Sequence, residues 1–310
     1  MEKVAIIGFG SHVEKKIIDA FNRLPNILIE SIYVRDIDKY KSKAEKYGVN
    51  LKELSENVGK EVQWVYISTP ISTHYELTRK YLEIGKNIIC EKPLTSSSEQ
   101  TKELFDLASN KGLKLHEVCM YKYHKQYKHL KKLVAENLDT LKSITTRFTI
   151  PHLDRNDVRY KKELGGGALL DVGYYPLSIL VSLFGKPKDI KAVNFRENVN
   201  DVDLSGAAIF EYKSFYCIVE WGIGLPYSNE ITVITENQVA KYERIFSKPE
   251  TLQSKVQIQV GFDSYEVDIG TDDHFVNMFE EIILDESDIS VTNIKSTIDV
   301  GKILSDLQKN

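Results

Sequence analysis

The sequence predicts an α/β domain on a doubly wound parallel sheet, followed by an α+β domain with a large, mostly antiparallel open sheet. Three observations predict it. The first third alternates short apolar runs with stretches whose apolar residues recur at helical spacing. Past about residue 140, strand-like stretches follow one another with few helices between them. With 310 residues, the chain is long enough for two domains of roughly 100–200 residues each. The expected division is 1–120 and 121–310.

Val4 to Ile7 is a continuous apolar run, as in a parallel strand covered on both faces. After a glycine turn, Val13, Ile17, Ile18 and Phe21 recur at helical spacing, with Pro25 beyond the helix end. Ile27–Val34 is the second strand, and a Lys-rich helix runs from there to Gly48. Val62–Ile67 is the third strand, His74–Ile84 a helix, and Asn87–Cys90 the fourth strand. Ser96 or Ser97 caps the next helix, with Glu99 and Gln100 in capping-box positions, and Leu113–Val118 is the fifth strand. Strands are then expected at Leu141–Ile150, Ile190–Phe195, Ser205–Tyr212, Phe215–Trp221, Glu230–Thr235, Ala240–Phe246 and Val256–Val260. Helices are expected at Leu169–Phe184, Asp272–Leu284 and Asn293–Leu307.

Composition excludes several classes of function. Hydrophobic residues make up 42% and charged residues 28%, which rules out wholesale disorder. The 41 basic and 45 acidic side chains leave a net charge of −4, without the basic footprint of a nucleic-acid binder. Lysines 122, 125, 128, 131 and 132 interleave with tyrosines, yet their spacing beside Leu130, Leu133 and Val134 fits one helix with a wet face. Cys90, Cys119 and Cys217 are odd in number and far apart, so neither a disulfide framework nor a Cys-x-x-Cys metal site can be built. A reducing, cytoplasmic compartment is expected. The apolar run ending at Gly8 is too short for a signal peptide or a membrane span. His116, His129 and His274 lack spaced partners, so no metal is expected.

Gly8-Phe9-Gly10-Ser11-His12-Val13 lies between the first strand and the first helix. A dinucleotide turn wants G-x-G-x-x-G there: the first glycine for the tight turn, the second for backbone approach to the pyrophosphate, the third for close packing. Val13 replaces the third, without removing the amides that face phosphate. At the end of the second strand, Arg35 suits a 2′-phosphate, while Asp36 either binds a ribose or caps the next helix. Arg35 favours NADP, with NAD as the alternative. Ser68-Thr69-Pro70 and Glu91-Lys92-Pro93 close the third and fourth strands at the carboxyl edge of the sheet, where ligands bind in open α/β folds. From the residues alone, Lys92 is either functional or a surface lysine paired with Glu91. His74 either caps its helix or contacts cofactor, and Arg159 either touches substrate or belongs to a hinge loop.

Over nearly its full length the sequence resembles the Gfo/Idh/MocA oxidoreductases. The resemblance rests on Ile6-Ile7-Gly8-Phe9-Gly10, Ser68-Thr69-Pro70 with Thr73-His74, and Gly85 to Leu94 through Glu91-Lys92-Pro93. It continues in Glu117 to His124 and in Gly165-Gly166-Gly167-Ala168-Leu169-Leu170-Asp171 to Pro176. It implies a Rossmann domain for NAD or NADP, and a second domain that holds a sugar or polyol against an open sheet. Lys92 matches the family's active-site lysine and Asp171 its substrate-side aspartate. Tyr175 stands where many relatives have histidine. It matches a subgroup similar to glucose–fructose oxidoreductases, dihydrodiol dehydrogenases and NDP-sugar 3-ketoreductases. That subgroup has arginine and proline where this chain has Lys122 and Lys125. Lys122 lies where the family's loop approaches substrate.

The resemblance implies a cofactor set of Gly8, Phe9, Gly10, Ser11, His12, Arg35, Ser68, Thr69, Pro70, His74, Glu91 and Lys92. It implies a substrate set of Lys122, Arg159, Asp171 and Tyr175. Hydride arriving at a carbonyl leaves alkoxide character on oxygen, so a proton donor is needed within hydrogen-bond reach. Tyrosine titrates near pH 10, and a neighbouring ammonium lowers that value, which gives Lys92 and Tyr175 paired roles. Reduction of a keto-sugar, or oxidation of the matching alcohol, is expected. A free-aldose or trans-dihydrodiol dehydrogenase and a non-catalytic sensor of the same fold are the alternatives. Retention of Lys92, Asp171 and Tyr175 together argues against the sensor. A homodimer or homotetramer is expected, formed through the uncovered sheet face.

Overall fold

The computed structural model describes residues 1–196, 201–284 and 291–309. They form two compact units, Met1–Val118 with Phe275–Ile294, and Cys119–His274 with Lys295–Asn310.

In the first unit, β1 (Glu2–Ile7) leads through the glycine turn to a wide helical turn, Val13–Ile17, and α1 (Ile18–Asn22). Then come β2 (Ile27–Val34), α2 (Ile37–Tyr47), β3 (Leu51–Glu53), β4 (Trp64–Ile67) and α3 (His74–Glu83). β5 (Asn87–Cys90), α4 (Ser98–Asn110) and β6 (Leu115–Glu117) complete the alternation. The sheet order is β3-β2-β1-β4-β5-β6, with every pairing parallel. Val4–Ile7, Val65–Ile67 and Ile88–Cys90 are fully buried, as central strands covered on both faces must be. The order reverses between β1 and β4, so the ligand crevice of this fold lies beyond their carboxyl ends. Periodicity does not announce β3, which is three residues long and ties to β2 partly through a 2.6 Å Lys52–Glu30 ion pair. Ser97 caps α4 by accepting from the Gln100 amide at 3.4 Å.

In the second unit, α5 (Lys125–Glu136) precedes β7 (Leu141–Ile150) and α6 (Tyr174–Phe184). β8 (Asp189–Arg196), β9 (Asp203–Glu211), β10 (Tyr216–Ile223) and β11 (Ser228–Thr235) follow. β12 (Val239–Glu243), β13 (Ser254–Val260) and β14 (Asp263–Gly270) finish an eight-stranded sheet in the order β14-β13-β12-β11-β7-β10-β9-β8. Among the described residues of this sheet, only the β7–β10 pairing is parallel. Along β10, Cys217, Val219 and Trp221 are buried while Ile218 and Glu220 are half-buried, the alternation of a sheet with one covered face. Tyr174 to Val181 of α6 are all buried, so this apolar stretch is a core helix. β14 lies at the sheet edge with most side chains exposed; Asp263, Glu266 and Asp268 hide it from a hydrophobic pattern.

The chain then returns to the first unit through α7 (His274–Phe279) and a wide turn, Glu280–Leu284, before α8 (Val291–Leu307). Phe279 stacks on Phe21 at 4.1 Å and meets Tyr66 edge-on at 5.7 Å. All three rings are buried. The first unit is therefore discontinuous in sequence, its core covered by a ring that follows the strands of the second unit.

Candidate active site

The turn after β1 is shaped for a phosphate. Gly8 has φ +97°, and a Cβ there would lie 2.5 Å from the Ser68 carbonyl oxygen, so only glycine fits. Ser68 approaches because its amide donates to the Ile7 carbonyl at 2.9 Å. Gly10 has nothing within 4 Å of its Cβ position, which leaves the outer side of the turn open. Val13, in the place of the third glycine, is fully buried, and the helix starts with the wide turn Val13–Ile17. A turn widened to i→i+5 bonds gives that side chain room. Phe9 is buried, stacks on Tyr40 at 5.8 Å, and has the Lys43 ammonium 5.3 Å from its ring centre. Ser11 is exposed.

At the end of β2 the two readings of Asp36 separate. Its carboxylate accepts from the Lys39 amide at 3.0 Å and caps α2. Arg35 beside it is exposed. An open glycine turn, a carboxylate held by its own helix and an exposed guanidinium fit a dinucleotide with a 2′-phosphate.

The loops after β4 and β5 are tied together. His74 is buried, with Nδ1 2.9 Å from the Pro93 carbonyl oxygen and Nε2 2.9 Å from that of Thr69. The imidazole joins these two loops, Thr73 makes the cap-like turn instead by donating its hydroxyl to the Pro70 carbonyl at 2.8 Å, and burial pushes the His74 pKa down. Glu91 Oε1 accepts from the Tyr66 hydroxyl at 2.5 Å and lies 3.1 Å from His12 Nε2. Burial alone would raise the Glu91 pKa; the His12 and Tyr66 contacts and the Lys92 charge outweigh it and hold the carboxyl below its ordinary value. Lys92, half-buried, follows immediately.

In the second unit, Arg159 Nε donates to Asp171 Oδ2 at 2.5 Å. Tyr175 is 9% exposed and ringed by Phe148, Tyr121, Tyr174 and Phe246 at centroid distances of 5.3, 6.4, 5.7 and 5.9 Å. Its hydroxyl points to Met120 Sδ at 3.9 Å. Lys122 is half-buried in the turn Met120–Tyr123. Of the expected residues, the structure thus brings together Gly8, Ser68, His12 and Glu91 in one unit, and Arg159 with Asp171 in the other. Sequence reasoning passed over Tyr66, Asp157, Phe148 and Phe246. Asp157, two residues before Arg159, carries the local signature of a side chain that caps its own turn; the three aromatics look like any core residue.

Residues 2–118 match the model of the oxidoreductase family with an NAD-binding Rossmann fold, and residues 127–241 match the Gfo/Idh/MocA carboxy-terminal domain. The chain belongs to the Gfo/Idh/MocA oxidoreductase family. Among its Gfo/Idh/MocA relatives is a dTDP-3,4-didehydro-2,6-dideoxy-α-D-glucose 3-reductase of Streptomyces violaceoruber. The two are 31% identical over 67% of this chain and 62% of that one, so the match spans less than two thirds of the relative. The enzyme of that name from Actinomadura kijaniata is 29% identical over 83% of this chain and 79% of its own. A D-xylose 1-dehydrogenase (NADP⁺) of Haloferax volcanii is 29% identical over 64% and 54%. The fold is that of a 3-ketoreductase from Actinomadura kijaniata, solved with NADP and TDP-benzene: TM-score 0.90 at 24% identity, over 99% of this chain and 97% of that one.

Proposed function

We propose that this oxidoreductase transfers a hydride between NADP and the carbonyl or carbinol carbon of a sugar, with a nucleotide-linked keto-sugar as its substrate. The observation that carries this is the 3.1 Å approach of His12 to Glu91, which sets the residue before Lys92 against the open glycine turn. The named activities of the 3-reductases and the NADP-dependent xylose dehydrogenase support the substrate class and the cofactor.

The cofactor, when bound, supplies or takes up the hydride. Gly10 and Ser11 would present backbone amides to its pyrophosphate, the Gly8 amide being taken by the Tyr33 carbonyl at 2.9 Å, and Arg35 would pair with the 2′-phosphate. Lys92 stabilises negative charge on the substrate oxygen. Tyr175 delivers the proton that completes reduction. Asp171, held by its arginine partner, accepts a hydrogen bond from a sugar hydroxyl. Lys122 and Arg159 belong to the substrate side in this assignment. We place the chain in the cytoplasm on the strength of three free, buried thiols. We propose a homo-oligomer through the outer sheet face, where Val193, Ile209 and Tyr216 are each about half exposed or more.

Titration with NADPH and NADH, followed by a screen of NDP-keto-sugars for loss of nicotinamide absorbance, tests the assignment. Binding of NADPH and consumption with a nucleotide-linked ketone is the expected result. Turnover only with free aldoses moves the substrate to the unlinked class, and absence of binding by either cofactor rejects the function.

A further inference from the structure

The segment before the glycine run is built around Asp171. While Arg159 Nε holds Asp171 Oδ2 at 2.5 Å, its Nη1 donates to Asp157 Oδ1 at 3.1 Å. Asp157 also accepts from the Arg159 backbone amide at 3.0 Å, which sets the turn Val158–Tyr160. The glycine run seats that turn. The Gly167 amide donates to the Arg159 carbonyl at 2.9 Å, and the Gly166 amide to the Lys161 carbonyl at 3.0 Å. A Cβ on Gly166 would stand 2.6 Å from the Arg159 carbonyl oxygen and 2.8 Å from that of Lys161. These are backbone atoms, which no side-chain adjustment can move aside. On the other side, Asp203 Oδ2 accepts from the Leu169 amide at 2.6 Å and anchors the helical stretch that carries Asp171.

We infer that Arg159 is a positioning residue: gripping Asp171 on one edge and Asp157 on another, it holds the Asp171 carboxylate aimed as an acceptor for substrate. A guanidinium suits the task, since its planar fork engages two carboxylates at fixed angles where an ammonium is a point charge. The negative charge of Asp171 in turn pushes the Arg159 pKa further up. The Gly166 contact explains in backbone terms why that position carries no side chain. The family motif therefore serves the arginine turn as much as the ligand.

The inference rests on the catalytic assignment of Asp171, and the test separates the two. Arg159→Ala, Arg159→Lys, Gly166→Ala and Asp171→Asn are compared with wild type for kcat, sugar KM, NADPH affinity and melting temperature. Arg159→Ala is expected to lower kcat by about 10²-fold, the usual effect of a small misplacement of a reacting group. NADPH affinity stays as in wild type, and added guanidinium ion restores part of the lost turnover. Arg159→Lys falls between, since it keeps the charge and loses the second bond. Gly166→Ala, which displaces the turn without altering either side chain, also loses turnover and is not rescued by guanidinium. Wild-type kcat in Arg159→Ala alongside an inactive Asp171→Asn overturns the positioning role and leaves Asp171 in place. A raised KM with unchanged kcat makes Arg159 a substrate ligand and overturns it too, as does a loss that guanidinium leaves unrestored. Wild-type turnover in Asp171→Asn removes Asp171 from the reaction. If Arg159→Ala does not fold, Arg159→Lys decides: reduced kcat at retained melting temperature supports the role, and wild-type kcat overturns it.

Discussion

The Asp36 carboxylate accepts a hydrogen bond from the Lys39 amide at 3.0 Å, which commits the acidic side chain after β2 to its own helix. In the proposed assignment, cofactor preference falls to the neighbouring, exposed Arg35. Arg35→Ala should weaken NADPH by about 10–10²-fold, the worth of one charge-assisted hydrogen bond of about 1.5–3 kcal/mol, and leave NADH unchanged. Fluorescence titration of both cofactors reads the difference, and equal losses would reject Arg35 as the discriminating residue. Asp36→Ala should instead cost about 1 kcal/mol of stability without altering the preference.

Lys92→Met should retain cofactor affinity and remove most turnover, because the proposed work of this lysine is on the substrate oxygen. Tyr175→Phe removes only a hydroxyl and keeps the ring among Phe148, Tyr121, Tyr174 and Phe246, so the fold should persist. Its rate should fall by roughly 10²–10⁴-fold. In wild type, reductase activity should decline as the proton donor ionises at high pH, and Tyr175→Phe should flatten that limb. An unchanged rate and pH profile in Tyr175→Phe would transfer the donor role to Lys92.

Lys248 is 5% exposed, and its ammonium donates to Gln126 Oε1 at 2.6 Å. Burial pushes its pKa down to about 7, against the ordinary 10.5, with Asp272 opposing. Between those values the unfolded chain holds a proton that the folded chain lacks. Stability contributed at this position therefore rises with pH from about 7 upward, and is lowest below it. Lys248→Met should flatten this rise in urea unfolding measured near pH 7 and near pH 10. The orphaned Gln126 oxygen costs about 1–3 kcal/mol, and this should appear equally at both. A slope as steep as wild type would show that Lys248 is charged when folded.

Ile209→Asp on the outer face of β9 should yield monomers by light scattering, with the secondary structure intact. The residue is 49% exposed, so a carboxylate there is harmless to a lone subunit and costly against an apolar partner surface. A wild-type protein that is already monomeric at micromolar concentration would refute the assembly.

The parallel sheet was legible because each of its central strands is an uninterrupted apolar run, and the glycine turn because only glycine tolerates φ +97° against the Ser68 carbonyl. Strands β7 and β10 were legible through their alternation. β3 and β14 were not, since short or polar edge strands lack a buried face to impose a pattern. Within the site, Lys92, Asp171 and Tyr175 stood out by resemblance to family motifs. His12 and Arg159 stood in the expected sets, but their contacts with Glu91 and Asp171 did not, and Tyr66 was not singled out, because turns and sheet order rather than spacing along the chain bring these groups together.

The Phe279 ring on Phe21 ties completion of the first unit to synthesis of a segment that follows every strand of both sheets. Strands β1 to β6 leave the ribosome early, yet their core around Phe21 and Tyr66 stays unsealed until residue 279 has emerged. Meanwhile β7 waits for β10 and β11, both made much later, before either of its edges is paired. The nascent chain thus carries open hydrophobic surface through most of its translation, the condition under which chaperones are recruited. A stop codon ahead of α7 would deliver every strand of both sheets without the ring that covers Phe21 and Tyr66.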